Sequence, residues 1–175
     1  MMQMVHSRFN ALLSACVLSL IATAGWSQSL TWLGTLPGYD RSSEAWGVSN
    51  NGVVVGRAYN AAGQYRAFRW TAAGGMQDLG TLGGDSSRAL GVSAGGSVVV
   101  GWAENAEGQK RAFRWTAAGG MEDLNLTYAR LLTNGSELWT ANAVSPDGRY
   151  IVGQGYNAAT ERIEAFLLDT RRTWR

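Results

Sequence analysis

Ala67-Phe68-Arg69-Trp70-Thr71-Ala72-Ala73-Gly74-Gly75-Met76 returns, residue for residue, as Ala112-Phe113-Arg114-Trp115-Thr116-Ala117-Ala118-Gly119-Gly120-Met121. An unbroken identity of this length at an offset of 45 residues marks a duplicated structural unit. Working outward, Val53-Val54-Val55-Gly56 recurs as Val98-Val99-Val100-Gly101, and Leu33-Gly34-Thr35-Leu36 as Leu79-Gly80-Thr81-Leu82. A third, degenerate copy follows. Ile151-Val152-Gly153 stands for the Val-Val-Gly run, and Ala165-Phe166-Leu167-Leu168 for the Ala-Phe-Arg-Trp block. The units are read as 30–75, 76–120 and 121–170, with extra residues near 131–138 forming a longer loop in the third.

Turn signals cut each unit into short apolar runs. In the second unit the strand candidates are 76–82, 89–93, 97–103 and 111–116, separated by Gly83-Gly84-Asp85, Ala94-Gly95-Gly96 and Ala106-Glu107-Gly108. With a two-residue period, Phe68 and Trp70 share one face, and Ala67 and Arg69 the other. The Val53 to Val55 run is apolar on both faces, as in an interior strand. A sheet of this kind leaves apolar surface on both sides, so neighbouring units must cover one another.

The fold class is therefore all-β, with three propeller-like units of four short strands each. Propellers close with about four to eight blades. Three units imply a partial propeller, or a ring completed by oligomerisation such as a homodimer. A β-sandwich or solenoid is the fallback.

Residues 1–27 read as a signal peptide. Arg8 supplies a weak positive n-region, 11–24 is a mostly apolar stretch without a charge, and two cleavage sites fit, Ala22-Thr23-Ala24 and Gly25-Trp26-Ser27, the second giving a mature chain from Gln28. The β-repeat domain is then 28–175. Export to the periplasm or the medium follows, with no membrane span in the mature chain. The formal charge of +2 falls to about +1 without Arg8, no footprint for nucleic acid. The one His (His6) and the one Cys (Cys16) both lie in the leader. Ordinary zinc sites, histidine-based nucleophilic triads and disulfides are thus excluded from the mature chain, and no cofactor or metal is expected.

The Ala-Phe-Arg-Trp blocks, the stretch Gly74 to Gly84 and the segment Val92 to Gly101 together resemble the HAF-repeat family of bacterial extracellular proteins. The resemblance spans nearly all of the mature chain and implies export and a β-repeat fold. It implies no activity and carries over no catalytic residue. The His that opens that family's motif is replaced by Arg66, Arg111 and Glu164.

Aromatic residues at positions that vary between units are the candidate binding set: Trp46, Tyr59, Tyr65, Trp102, Trp139 and Tyr156. Aromatics outside the core stack on sugars or anchor protein partners. Arg69 and Arg114 join them as candidates for an anionic or sugar ligand; the structural alternative is an arginine covering neighbouring strands. Asp78, Asp85, Asp123, Glu104 and Glu107 are the acids from which a glycosidase pair would be drawn. Asn125-Leu126-Thr127 matches a glycosylation sequon. The function expected is a non-enzymatic exported module binding a glycan, a cell-surface component or a protein. The alternatives are a carboxylate-based polysaccharide hydrolase or lyase, or a fragment of a longer repeat protein without function of its own.

Overall fold

A computed structural model describes residues 28–171. The leader reading (1–27, with His6 and Cys16) lies outside the described residues.

The described residues form three antiparallel sheets of consecutive strands. The first holds β1 (Ser42–Val48), β2 (Val54–Tyr59), β3 (Tyr65–Thr71) and β4 (Gly75–Asp78). The second holds β5 (Gly83–Val92), β6 (Val98–Asn105), β7 (Lys110–Thr116) and β8 (Gly120–Asp123). The third has only β9 (Glu137–Val144), β10 (Tyr150–Asn157) and β11 (Arg162–Asp169). All-β organisation and a repeated sheet are as read from the sequence. Each sheet is open.

The phase of the repeat differs from the sequence reading. Met76 pairs with Trp70 and Asp78 with Phe68, so this run closes the first sheet rather than opening the second. Gly75, at φ 66°, turns the chain straight back on β3. Residues 79–82 then form the connector to β5. The longer loop foreseen near 131–138 instead follows a helical turn, α1 (Leu124–Thr127), and a 3-10 turn at Ala129–Leu131. Asp123 caps α1 by accepting from the Asn125 amide at 2.7 Å.

One device recurs in every sheet. The second strand carries a mid-strand glycine, and the first strand bulges opposite it. Register slips past Trp46 in β1, Leu90 in β5 and Asn142 in β9. A Cβ on Gly56, Gly101 or Gly153 would collide with the carbonyl oxygen of Glu44, Arg88 or Thr140 respectively. Each glycine also sits directly across from the repeat phenylalanine, Phe68, Phe113 or Phe166. The ring fills the space that the missing side chain leaves; Phe68 and Phe113 are fully buried. The glycine of Val-Val-Val-Gly and the phenylalanine of Ala-Phe-Arg-Trp thus form one packing unit.

The sheets stack in chain order. Phe113, Val99, Trp115 and Ala89 of the second sheet pack on Val55, Ala67 and Leu79. Ile151, Leu168, Leu138 and Ala141 pack in turn on Val100, Ala112 and Leu124. The β1–β2, β5–β6 and β9–β10 turns are tied to one another. Asn50 N–H donates to Ala94 O (3.1 Å), and Ala94 N–H to Pro146 O (3.0 Å). Within each turn a serine hydroxyl (Ser49, Ser93, Ser145) accepts the amide that begins or precedes the next strand.

We expect Gly101→Ala to cost about 3 kcal/mol or more, because backbone must move to admit the methyl group. Gly95→Ala, where a Cβ meets nothing within 4 Å, should stay within about 0.5 kcal/mol of wild type. Urea denaturation of the two variants checks this; equal stabilities would refute the bulge–glycine account.

Candidate functional site

Stacking brings four of the six candidate aromatics into one chain of contacts. Tyr59 and Tyr65 lie with ring centroids 5.4 Å apart, and Tyr65 meets Trp102 edge-on at 5.7 Å. Trp46 joins through cations. The Arg88 guanidinium lies 4.6 Å from its ring centre and that of Arg57 5.8 Å. Arg57 also covers Tyr59 (4.6 Å) and Tyr65 (5.0 Å), and the Lys110 ammonium sits 4.5 Å from the Trp102 ring. The patch therefore alternates cation and ring across the joint between the first two sheets.

Each member owes its place to the repeat. Trp46 is the bulged residue of β1, turned out and half exposed at 50%. Tyr59 and Tyr65 are a directly paired couple closing the β2–β3 hairpin. Arg88 stands beside Ala89 in β5, and Trp102 follows the mid-strand glycine of β6. Its counterpart in β2 is Arg57, so the same strand position supplies an aromatic in one sheet and a cation in the next.

The charges are unequally matched. Arg57 is neutralised by Glu44, which accepts from Nε at 3.1 Å and Nη2 at 2.9 Å. Arg88 and Lys110 have no ion pair of this kind among the described residues, and the Arg88 Nε is buried without a hydrogen-bond acceptor. Glu104 lies across from Lys110 in register, yet accepts from the Ser86 amide at 3.1 Å. Burial, aided by the positive charge of Arg88, pulls the Lys110 pKa below its ordinary value. Burial likewise raises the Tyr65 phenol, against the opposing pull of Arg88 and Arg57.

The other candidates lie elsewhere. Trp139 and Tyr156 stack on each other in the third sheet, 6.4 Å apart and 13° from parallel. Arg69 reaches to the next sheet, its Nε donating to Gly96 O at 3.2 Å. Arg114 pairs with Glu122 at 3.1 Å. Both arginines thus have partners in the scaffold. Among the acids, Asp78 caps the Gly80 amide at 2.8 Å, while Asp123 caps α1. Asn125 is engaged too, exchanging two hydrogen bonds of 2.7 and 2.9 Å with the Leu138 backbone. A cleft of about 840 Å³ between the second and third sheets is bordered by Glu107, Arg111, Glu122, Asp123 and Glu137. In it Arg111 pairs with Glu137 at 3.1 Å.

The sequence reading missed Arg57, Arg88 and Lys110. The signal was available in part: Arg57 and Lys110 occupy the unit positions of the chosen Trp102 and Tyr65, whereas Arg88 stands at the position of Glu44. Among the described residues no group of three or more acids forms a metal-like cluster, and no helix is long and apolar enough to cross a membrane. No family model matches the chain, and neither a curated protein nor a solved structure does.

Glu137 yields a pH prediction. Its pKa lies below the ordinary glutamate value, first because Trp139 Nε1–H donates to it at 2.9 Å and then because of Arg111. A depressed carboxylate contributes stability above its unfolded pKa and loses it as pH falls through the folded one. Carbon-detected NMR titration should place the Glu137 midpoint below that of a free glutamate, and Trp139→Phe should move it upward. An unchanged midpoint in the variant would contradict the assignment.

Proposed function

We propose that this chain is an exported, non-enzymatic repeat module whose sheets act as propeller-like blades and which binds an acidic glycan. In this reading it is a relative of the HAF-repeat proteins. The observation that carries the ligand assignment is Arg88 lying over Trp46, with Lys110 over Trp102 and neither cation paired with a carboxylate among the described residues. Aromatic rings give sugar rings a flat apolar face. Cations with no carboxylate partner among the described residues supply the charge that a uronate carboxylate needs.

The chemistry of the acids supports binding rather than turnover. Asp78 and Asp123 are committed to capping backbone amides, and Glu104 to the Ser86 amide.

Isothermal titration with polygalacturonate, and with dextran as the neutral control, tests the proposal. We expect binding to polygalacturonate alone, weakening as salt rises. Trp46→Ala and Arg88→Gln should each weaken it about tenfold, or about 1.4 kcal/mol. Equal binding of dextran, or indifference to both substitutions, would overturn the reading. Release of reducing ends from the polymer would replace it with the hydrolase alternative.

A further inference from the structure

The two ends of the stack are unfinished in complementary ways. At one end the third sheet has no fourth strand among the described residues. In the first two sheets, β4 and β8 pair with the outer edges of β3 and β7. The equivalent edge of β11 is the outer edge of a three-stranded sheet. The face that in the other sheets is covered by the next unit is bare here: Val152 is 42% exposed, Ile163 55% and Leu167 69%. The counterparts of Val152 in the other two sheets, Val55 and Val100, are fully buried.

Before the first sheet the sequence holds an equivalent of the fourth strand. Counting back from the connector, Ser29-Leu30-Thr31-Trp32 corresponds to Gly75-Met76-Gln77-Asp78, the whole of β4. The two connectors are built alike. Gly34 and Gly80 both take positive φ, 77° and 81°. Ser43 Oγ donates to Gly34 O at 2.7 Å, as Ser87 Oγ does to Gly80 O at 2.5 Å. Residues 29–32 nevertheless carry no secondary structure, with Leu30 79% and Trp32 88% exposed. On β1, Val48 is 68% exposed, whereas its counterpart Val92 packs against the first sheet.

We propose that copies of this chain join head to tail. Residues 29–32 of one copy add to the outer edge of β11 in another as its missing fourth strand. The first sheet of the donor then covers Val152 and Leu167. The occupant is a second copy because the internal joints already show what covers such a face, namely the following unit of the same repeat. On the third sheet Val152, Ile163 and Leu167 stay exposed, and at the first sheet Val48 does, although Phe68 and Ala58 beside it are buried with Leu36. Transferring the β3–β4 register predicts Trp32 opposite Phe166, Thr31 opposite Leu167, Leu30 opposite Leu168 and Ser29 opposite Asp169. Two copies are the smallest arrangement that leaves neither end open, and six units fall in the range of closed propellers, about four to eight. The new joint lacks one bond. Pro146 has no N–H, so the turn-to-turn series running through Asn50 and Ala94 ends there, and strand addition must set the register. This inference depends on the blade reading but not on the glycan.

The test uses the full chain as recovered from an expressing bacterium, its N-terminus read by mass spectrometry. Light scattering should give twice the mass of one chain. Leu30→Pro/Thr31→Pro, which removes two strand amides, should halve it with the circular dichroism spectrum kept. In a Cys16→Ser background, a Thr31→Cys chain mixed with a Leu167→Cys chain should form a disulfide-linked heterodimer, since opposed strand residues lie about 4.5–5.5 Å apart. Thr31→Cys mixed with Arg162→Cys should not. A monomer at every concentration, or an assembly whose mixed chains fail to cross-link, would overturn the proposal. So would a cross-link formed only inside a doubly substituted monomer.

Discussion

Every sheet in this protein is apolar on both faces, and a sheet with two apolar faces must be covered twice. Val55 and Ala67 form one side of the first sheet, Phe68 and Ala58 the other. Hydrophobic burial is roughly proportional to area removed from water, so a lone sheet wastes half of what it could gain. Stacking resolves this, and the sequence economises by repeating one solution. The glycine–bulge–phenylalanine unit narrows the first strand's approach. The serine-closed turns then align one sheet with the next.

The candidate site is a by-product of that stacking. Its residues come from β1, β2, β3, β5, β6 and β7, and no single sheet holds more than part of it. The repeat fixes the backbone, so equivalent strand positions carry different residues, the buried Trp102 among them. Arg57 and Trp102 occupy one such position and Glu44 and Arg88 another. The alternation of ring and cation follows from placing different residues at equivalent points of successive sheets. A ligand bound there would touch two units at once, so binding and the joint between them reinforce each other.

Much of this was legible in the sequence, for physical reasons. Identity at a constant offset reports the repeat directly. The two-residue period separated Phe68 and Trp70 from Ala67 and Arg69, which the structure places on opposite faces. The unit boundary was not legible. A run such as Met76-Gln77-Asp78 pairs equally well forward or backward until the turn at Gly75 is known. Helix α1 was hidden because it rests on one side-chain cap from Asp123. The patch was half legible: the aromatics stood out as variable residues, whereas Arg57, Arg88 and Lys110 became its partners only through packing between sheets.

Native-state hydrogen exchange tests mutual covering most directly. If the sheets support one another, amides of β6 and β7, covered on both sides, should exchange most slowly in the monomeric Leu30→Pro/Thr31→Pro chain. Protection should fall toward β1 and β11 at the uncovered ends. Three sheets exchanging independently, with the central one no better protected than its neighbours, would contradict the account.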